Sequence, residues 1–474
     1  MLKKTKIVCT LGPASREESI ISDMLRAGMN VARLNFSHGT HEEHKKTIDT
    51  FRKVRDELDI PAAVLLDTKG PEIRLKDFEN GSELLLEGST FVLTSGDYPG
   101  NAEMVSTTYS ALPAQVEAGT MILIDDGKIR LKVVETTETE VVCKVVSGGK
   151  VSSRKGVNIP GKSLDLEYIS EADRRDILFG IEMNVDYVAA SFVRSGDDVR
   201  QLRALLDDNG GSDIRIISKI ENVEGIENFT DILELSDGIM IARGDMGVEV
   251  DFEKLPGLQK KLIKECCRAG KTVITATQML ESMTSNPAPT RAEITDVANA
   301  VFDGTSAVML SGESAAGSYP VETVKVMSKI VSQAELDAEE VNQYRFLEIE
   351  SDESDVSNAM GHAACTTARD IRAGAIIAVT TSGYTAEKMA KYKPSAPVIA
   401  ATPNLKTYHQ QALTRGVYPV LTEYSSNWND LMDEAVAGAQ RMNFVKKGDC
   451  IVLSAGMPLQ VAGTTNLIRV MAVE

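Results

Sequence analysis

Two acids and two cations stand in short runs that could do chemistry: Lys219 and Glu221 in "SKIEN", and Arg243 and Asp245 in "ARGDMGVE". Two carboxylates with positions left for water and phosphate suit Mg²⁺ or Mn²⁺ better than zinc, whose His and Cys ligands are missing from these runs. Burying such a cluster is costly unless something binds there. Lys219 closes an apolar run and could pair with an acid, form a Schiff base, or stabilise a phosphoryl group in transfer, and the residues alone leave all three open. Asn35, Ser37, Asp67 and Thr68 could offer oxygens to a second, weakly hydrated cation, although capping and loop hydrogen bonds are the plainer reading of these residue types.

Other motifs carry weaker signals. His38, His41 and His44 in "HGTHEEH" have metal-like spacing, but Thr40 and Glu43 form a capping box, which places His41 and His44 on the first turn of an exposed helix. The vicinal pair Cys266-Cys267 reads as helix packing rather than redox chemistry. The run "TTSGYT" (Thr380, Thr381, Ser382, Gly383, Tyr384, Thr385) brings hydroxyls and a glycine to a strand–helix junction, a plausible phosphate nest. "GVNIPGKS", Gly156 to Ser163, fits the phosphate-loop pattern. Yet polar "SGGKVSSRK" precedes it, "SLDLEY" separates it from the helix cap at Ser170, and Pro160 removes a backbone donor. A hinge is the better reading.

The chemistry-bearing residues need elements to hold them. Buried β-branched runs recur at Thr5–Thr10, Val31–Phe36 and Ala63–Thr68. They resume at Tyr187–Phe192, Ile214–Lys219, Gly238–Arg243, Thr272–Thr277 and Ala307–Gly312, with amphipathic stretches between them. Eight such runs predict an α/β chain built on a parallel (β/α)₈ barrel of the TIM type, and a doubly wound open sheet is the alternative. In a barrel the strands' C-terminal ends bring Thr10, Arg33, Ser191, Lys219, Glu221, Thr277, Ser311 and Glu313 to one face.

Between residues 71 and 167 the texture changes to tight-turned antiparallel strands with an Asp126-Gly127 hairpin signal. An inserted small β domain is expected there, placed as a lid over the catalytic face. Past the acidic stretch Glu348 to Ser357 a second α/β rhythm begins, with strands at Ala375–Thr380, Pro397–Thr402, Gly416–Leu421 and Asp449–Ser454. It predicts a separate open-sheet domain.

A formal charge of −18 disfavours nonspecific binding to nucleic acid or anionic lipid. No apolar run reaches membrane-spanning length, and the basic start "MLKKTKIVCTLGPAS" reads as a first buried strand, not a signal peptide. Six scattered cysteines without C-x-x-C spacing fit a reducing cytoplasm.

Taken in order, "ARLNFSHGTHEEH", "LLDTKGPEIR", "SKIEN", "ARGDMGVE", "TATQMLESM" and "PTRAEITDVANAVFDGTSAVMLSGE" resemble the pyruvate kinase family over essentially the whole chain. The resemblance implies a barrel of residues 1–70 and 168–345, an inserted β-barrel lid of 71–167, a regulatory C-terminal α/β domain of 346–474, and a homotetramer. The reaction it implies is phosphoryl transfer from phosphoenolpyruvate to ADP, giving pyruvate and ATP. Glu221 and Asp245 would then hold Mg²⁺ (or Mn²⁺), Lys219 and Arg33 would offset charge on the phosphoryl group, Thr277 would serve protonation of the enolate, and Gly244 would touch substrate. Asn35, Ser37, Asp67 and Thr68 match the family's K⁺ ligands, and Glu72, where K⁺-independent relatives tend to carry lysine, implies K⁺ dependence. His38, Asn35, Arg74, Lys155 and the Thr10–Pro13 turn match positions near the nucleotide, so Lys155 rather than Lys162 is the expected nucleotide contact. The "TTSGYT" loop matches the site for phosphorylated activators, and the extra C-terminal domain of some bacterial relatives is not expected. Barrel enzymes that cleave C–C bonds, such as aldol lyases, and a sensor without turnover are the competing functions.

Overall fold

The structure, a computed structural model, describes residues 3–341, 355–425, 427–458 and 463–474. Eight strands close into a parallel barrel: β1 (Lys6–Thr10), β2 (Val31–Asn35), β3 (Ala63–Asp67), β4 (Tyr187–Ala190), β5 (Arg215–Ile220), β6 (Gly238–Ala242), β7 (Thr272–Ala276) and β8 (Ala307–Leu310). Each pairs with the next in sequence, and β8 returns to β1 through Lys6 opposite Ala307. Closure leaves no edge, which decides against the open-sheet alternative. Nearly every strand position is buried, because the inward layer packs in the barrel and the outward layer packs under helices.

Capping residues start the helices. Thr40 and Glu43 form the reciprocal box at helix His41–Glu57, and Ser170 accepts from the Asp173 amide at helix Glu171–Glu182. The first turn after Thr40 is not free surface, however. His41 stacks on Phe179 at 4.4 Å and bonds Asp176 at 2.6 Å, while His44 stacks on Phe36 at 4.1 Å. These rings are half-buried by aromatic partners that local periodicity does not reveal. Cys266 and Cys267 are buried on helix Leu255–Ala269, as packing requires.

Residues between β3 and the helix at Glu171 form a seven-stranded sheet and a two-stranded ribbon. The sheet's edges, Ile73–Arg74 and Met104–Ser106, meet through a Leu75–Thr107 bridge, with Lys76 N to Ser106 O and Thr108 N to Arg74 O both at 2.8 Å. This joins the edges into a small barrel. One pair, Thr90–Thr94 with Met104–Ser106, runs parallel instead of antiparallel. At the expected hairpin Asp126 (φ 56°) and Gly127 (φ 79°) lie in the left-handed region, as a type I′ turn demands. "GVNIPGKS" contributes strand Gly156–Asn158 and a turn, and the next helix begins only at Glu171. It has no strand-to-helix phosphate-loop geometry.

The C-terminal sheet runs in the order Val417–Leu421, Val398–Thr402, Ala375–Val379, Cys450–Gly456, Thr465–Ala472, parallel except for its last strand. It seals the amino-terminal end of the barrel. Leu413 joins the barrel's inner cluster, and the Tyr187 hydroxyl donates to the Gln410 carbonyl at 2.7 Å. Most of the acidic stretch from Glu348 to Ser357 lies outside the described residues. Among the described residues, no helix is long and apolar enough to cross a membrane.

Candidate active site

The residues that close β2, β3 and β5 meet in a buried charge network. Asp67 lies at its centre: Oδ2 accepts from Arg33 Nε at 2.6 Å, and Oδ1 accepts from Lys219 Nζ at 3.0 Å and from Ser191 Oγ at 3.3 Å. Lys219 also donates to Ser191 Oγ at 2.7 Å and pairs with Glu221 Oε1 at 3.0 Å. Arg33 reaches back to Thr10 Oγ1 at 2.8 Å. The strands are short, stiff and fully packed, so the chain spends no local flexibility in placing these groups.

Charge and burial set the protonation states. Burial opposes ionisation of Asp67, but Arg33 and Lys219 outweigh it and hold the carboxyl below its usual range. Burial likewise opposes charge on Lys219, and the neighbouring Asp67 and Glu221 overcome it, keeping the ammonium above its usual range. A lysine held charged this way stabilises negative charge and does not act as the neutral amine that a Schiff base needs. Burial pushes Glu221 up to about 7, against Lys219 and with help from Asp245. A cation at Glu221 would relieve that penalty. Glu221 Oε2 is already oriented by the Phe192 amide at 2.6 Å.

Asp245 lies in the first turn of helix Arg243–Glu249 and is half-buried. Among the described residues no group of three or more His, Cys, Asp or Glu side chains is placed to hold a metal. Glu221 and Asp245 offer oxygen alone, which fits an ion that keeps other coordination positions for water and substrate. The neighbouring Arg243 does not join the network. Its guanidinium turns to Asp296, at 2.7 Å, and to the carbonyl of Thr277, at 2.6 Å. Thr277 sits at φ 66°, a strained position for a β-branched residue, and its Oγ1 accepts from the Gly244 amide at 2.8 Å. Arg243 and Asp296 thus hold Thr277 in place, which sequence spacing did not reveal, although Asp296 lies inside one of the diagnostic runs.

At the second oxygen cluster, Asn35 Oδ1 accepts from the Ser37 amide at 3.1 Å. The Thr68 hydroxyl is spent between Ala189 O and Ser191 N, which leaves its carbonyl, already bonded once by Ser191 Oγ, as the further acceptor. Asp67 Oδ2 takes one bond and keeps an acceptor position. These are oxygens only, of low total charge, which fits a monovalent cation. Glu313 does structural work instead: its carboxylate accepts from the amides of Ser311 at 2.7 Å and Leu280 at 3.2 Å.

A cleft of about 660 Å³ opens between the small barrel and the large one. It gathers Glu72, Arg74, Lys155 and Lys162 with Phe192 and Asp245. Arg74 is held by Glu72 at 2.8 Å, Lys155 by Asp125 at 2.7 Å, and Lys162 by Glu117. Asn35 and His38 stand outside this cleft's lining, and His38 is exposed. In the "TTSGYT" loop, Thr380 Oγ1 accepts from the Gly383 amide at 3.0 Å and Thr385 bonds Thr465 at 2.8 Å. The half-buried Thr381 and Ser382 hydroxyls are the ones left nearer the surface.

Comparison with known proteins agrees with this architecture. Family models described as the barrel domain and the alpha/beta domain of pyruvate kinase match residues 2–324 and 358–471. A pyruvate kinase of Clostridium acetobutylicum is 46% identical over 476 residues, covering 100% of both chains. One from Geobacillus stearothermophilus is 48% identical, covering 99% of this chain and 80% of its own. The crystal structure of a pyruvate kinase from Cryptosporidium parvum superposes with a TM-score of 0.94 at 39% identity, covering 99% of this chain and 96% of its own. With its closed eight-stranded barrel, its sheet-forming C-terminal domain and full-length identity to these phosphotransferases, the chain belongs to the pyruvate kinase family.

Proposed function

We propose that the strand-end network transfers the phosphoryl group of phosphoenolpyruvate to ADP, with Lys219 and Arg33 as its principal cations. The observation that carries this reading is Lys219, buried yet held charged between Asp67 and Glu221. Phosphoryl transfer asks little of a protein beyond positioning and charge, and this network supplies both. The P–O bond to the enol oxygen breaks as the bond to the terminal ADP oxygen forms, and the enolate then takes a proton at carbon. Thr277, whose carbonyl accepts from Arg243, would serve that protonation by ordering the water that delivers the proton.

Glu221 and Asp245 would hold Mg²⁺ or Mn²⁺, and Asn35, Ser37, Asp67 and the Thr68 carbonyl would hold K⁺. Bound there, the ions supply positive charge to the phosphoryl and enolate oxygens. Gly244 lies against Thr277 and would meet substrate through its backbone. Arg74 and Lys155 would meet ADP from the lid, and Asn35 and His38 from the barrel side. Residues 1–70 with 168–345 would form the catalytic body, 71–167 the lid, and 346–474 a regulatory domain whose Thr380–Thr385 loop takes a phosphorylated effector. A cytoplasmic homotetramer completes the reading.

The test is ADP-dependent pyruvate formation, measured with and without K⁺ and divalent metal. Turnover that needs both ions is expected. Full activity in K⁺-free buffer would remove the second ion site, and pyruvate formation independent of ADP would remove the reaction itself.

A further inference from the structure

The chain crosses twice between the large barrel and the small one, and the core that each side chain joins sets where each crossing begins and ends. On the way out, Asp67 and Thr68 belong to the strand-end network, whereas Ile73 is buried in the small barrel's cluster. On the way back, Leu164 and Leu166 pack on the small barrel's cluster, while Tyr168 is buried in the large barrel's. Residues 69–72 and 167 stand between the two cores.

Asp173, the third residue of helix Glu171–Glu182 and 3% exposed, ties both crossings to the large barrel. Its Oδ1 accepts from the amides of Lys69 and Gly70 on the outgoing chain, both at 3.1 Å. Its Oδ2 accepts from the Ser170 hydroxyl on the returning chain at 2.7 Å, and that hydroxyl accepts in turn from the Asp173 amide at 3.1 Å. Helix capping explains the last bond. It does not call for a carboxylate that holds two amides as far as 104 residues away in sequence. Gly70 is fixed on its other side as well. Its φ is 75°, and a Cβ there would lie 2.9 Å from the Ser191 carbonyl oxygen, so the chain leaves the large barrel pressed against a member of the catalytic network. The bonds between the two barrels beyond these crossings are of another kind. Asn158 to Glu249 at 3.2 Å, Ser163 to Glu224 at 3.3 Å and Arg194 to the Leu164 carbonyl at 3.2 Å all lie along the open cleft, where water competes for them.

We propose that Asp173 is a positioning residue for phosphoryl transfer: it pins both crossings, so that the small barrel turns about residues 71–72 and 167 without moving the network around Asp67. The proposal rests on the reading of residues 71–167 as a lid. A hinge works when a few residues absorb the backbone change and their neighbours stay fixed, and Asp173 fixes those neighbours on both chains. An error at the pin passes first to Arg74, just beyond the outgoing pivot, and then to Lys155, the groups that would meet ADP. Arg33 and Lys219, which would meet phosphoenolpyruvate, stand on strands of the large barrel and are spared.

The experiment compares Asp173→Ala and Asp173→Asn in the full chain, with hydrogen exchange at residues 68–70 read by mass spectrometry and KM and kcat measured for both substrates. In Asp173→Ala the amides of Lys69 and Gly70 should exchange roughly tenfold faster, the loss of a bond to a charged acceptor, while the Thr68 amide, held by the Ala189 carbonyl at 3.0 Å, keeps its rate. KM for ADP should rise by roughly tenfold and KM for phosphoenolpyruvate by less than about twofold. Asp173→Asn, whose side-chain oxygen still reaches both amides, should restore most of each. A merely structural residue would lower the active fraction, and kcat with it, at unchanged KM. If Asp173→Ala does not fold, Asp173→Ser, with a side chain one bond shorter than aspartate, takes its place. Unchanged exchange at both amides, or a KM for ADP unmoved by Asp173→Ala though Lys155→Ala raises it, would overturn the proposal. A KM for ADP indifferent to Lys155→Ala would overturn the lid reading, and the proposal with it, so the two failures are distinguishable.

Discussion

Replacing Lys219 with methionine removes the cation that Asp67 and Glu221 share, at nearly constant side-chain length. Both acids are 1% exposed, so the structural cost is that of a broken buried pair, about 3–5 kcal/mol. Two features moderate it. Asp67 keeps Arg33 at 2.6 Å, and Glu221, already pushed up to about 7 by burial, takes a proton readily once Lys219 is gone. The expected loss lies at the lower end, about 3 kcal/mol, small enough to leave a folded protein at 25 °C. The catalytic cost is separate and larger in effect. One preorganised group aimed at developing charge is worth about 10²–10³ in turnover, and a full ammonium in a buried site should reach the upper value. The assay is the coupled rate of ADP-dependent pyruvate formation, with far-UV circular dichroism and a thermal melt on the same sample. A folded Lys219→Met protein turning over within tenfold of wild type would refute the assignment of Lys219 to the phosphoryl group.

Three further outcomes are expected. Thr277→Ala should lower kcat by roughly tenfold or more, while Thr277→Gly, which relieves the φ 66° strain, should melt higher than Thr277→Ala yet be no more active, as turnover and Tm measured together will tell. Lys155→Ala should raise the KM for ADP by roughly tenfold and Lys162→Ala by less than about twofold, although each ammonium group pairs with a carboxylate of the small barrel, Asp125 and Glu117; equal effects would reopen the phosphate-loop reading of "GVNIPGKS". His409 is buried neutral, its imidazole pushed down to about 3 by burial and by Arg55, so the unfolded chain binds the extra proton between about pH 6.5 and 3 and stability falls as pH falls through that window. By pH 5 this amounts to about 2 kcal/mol, and His409→Gln should flatten the fall in Tm between pH 7 and 5 by a matching amount.

What the sequence made legible was whatever a short run decides by itself. A strand of a closed parallel barrel is buried on both faces, so "AVLLD" or "TVITA" announces itself without its neighbours, and the residue that ends the run is placed at the catalytic face by the fold alone. That is why Arg33, Asp67, Lys219 and Thr277 could be named before any contact was known. What stayed illegible was every side chain whose partner lies far along the chain. Arg243 reads as part of the Asp245 cluster until Asp296, 53 residues further along the chain, takes its guanidinium. His41 and His44 read as exposed until Phe179 and Phe36 cover them. The docking of the C-terminal sheet is the extreme case: nothing near Leu413 in the sequence announces that its side chain joins the barrel's inner cluster, or that the Gln410 carbonyl takes the Tyr187 hydroxyl from a strand 223 residues earlier.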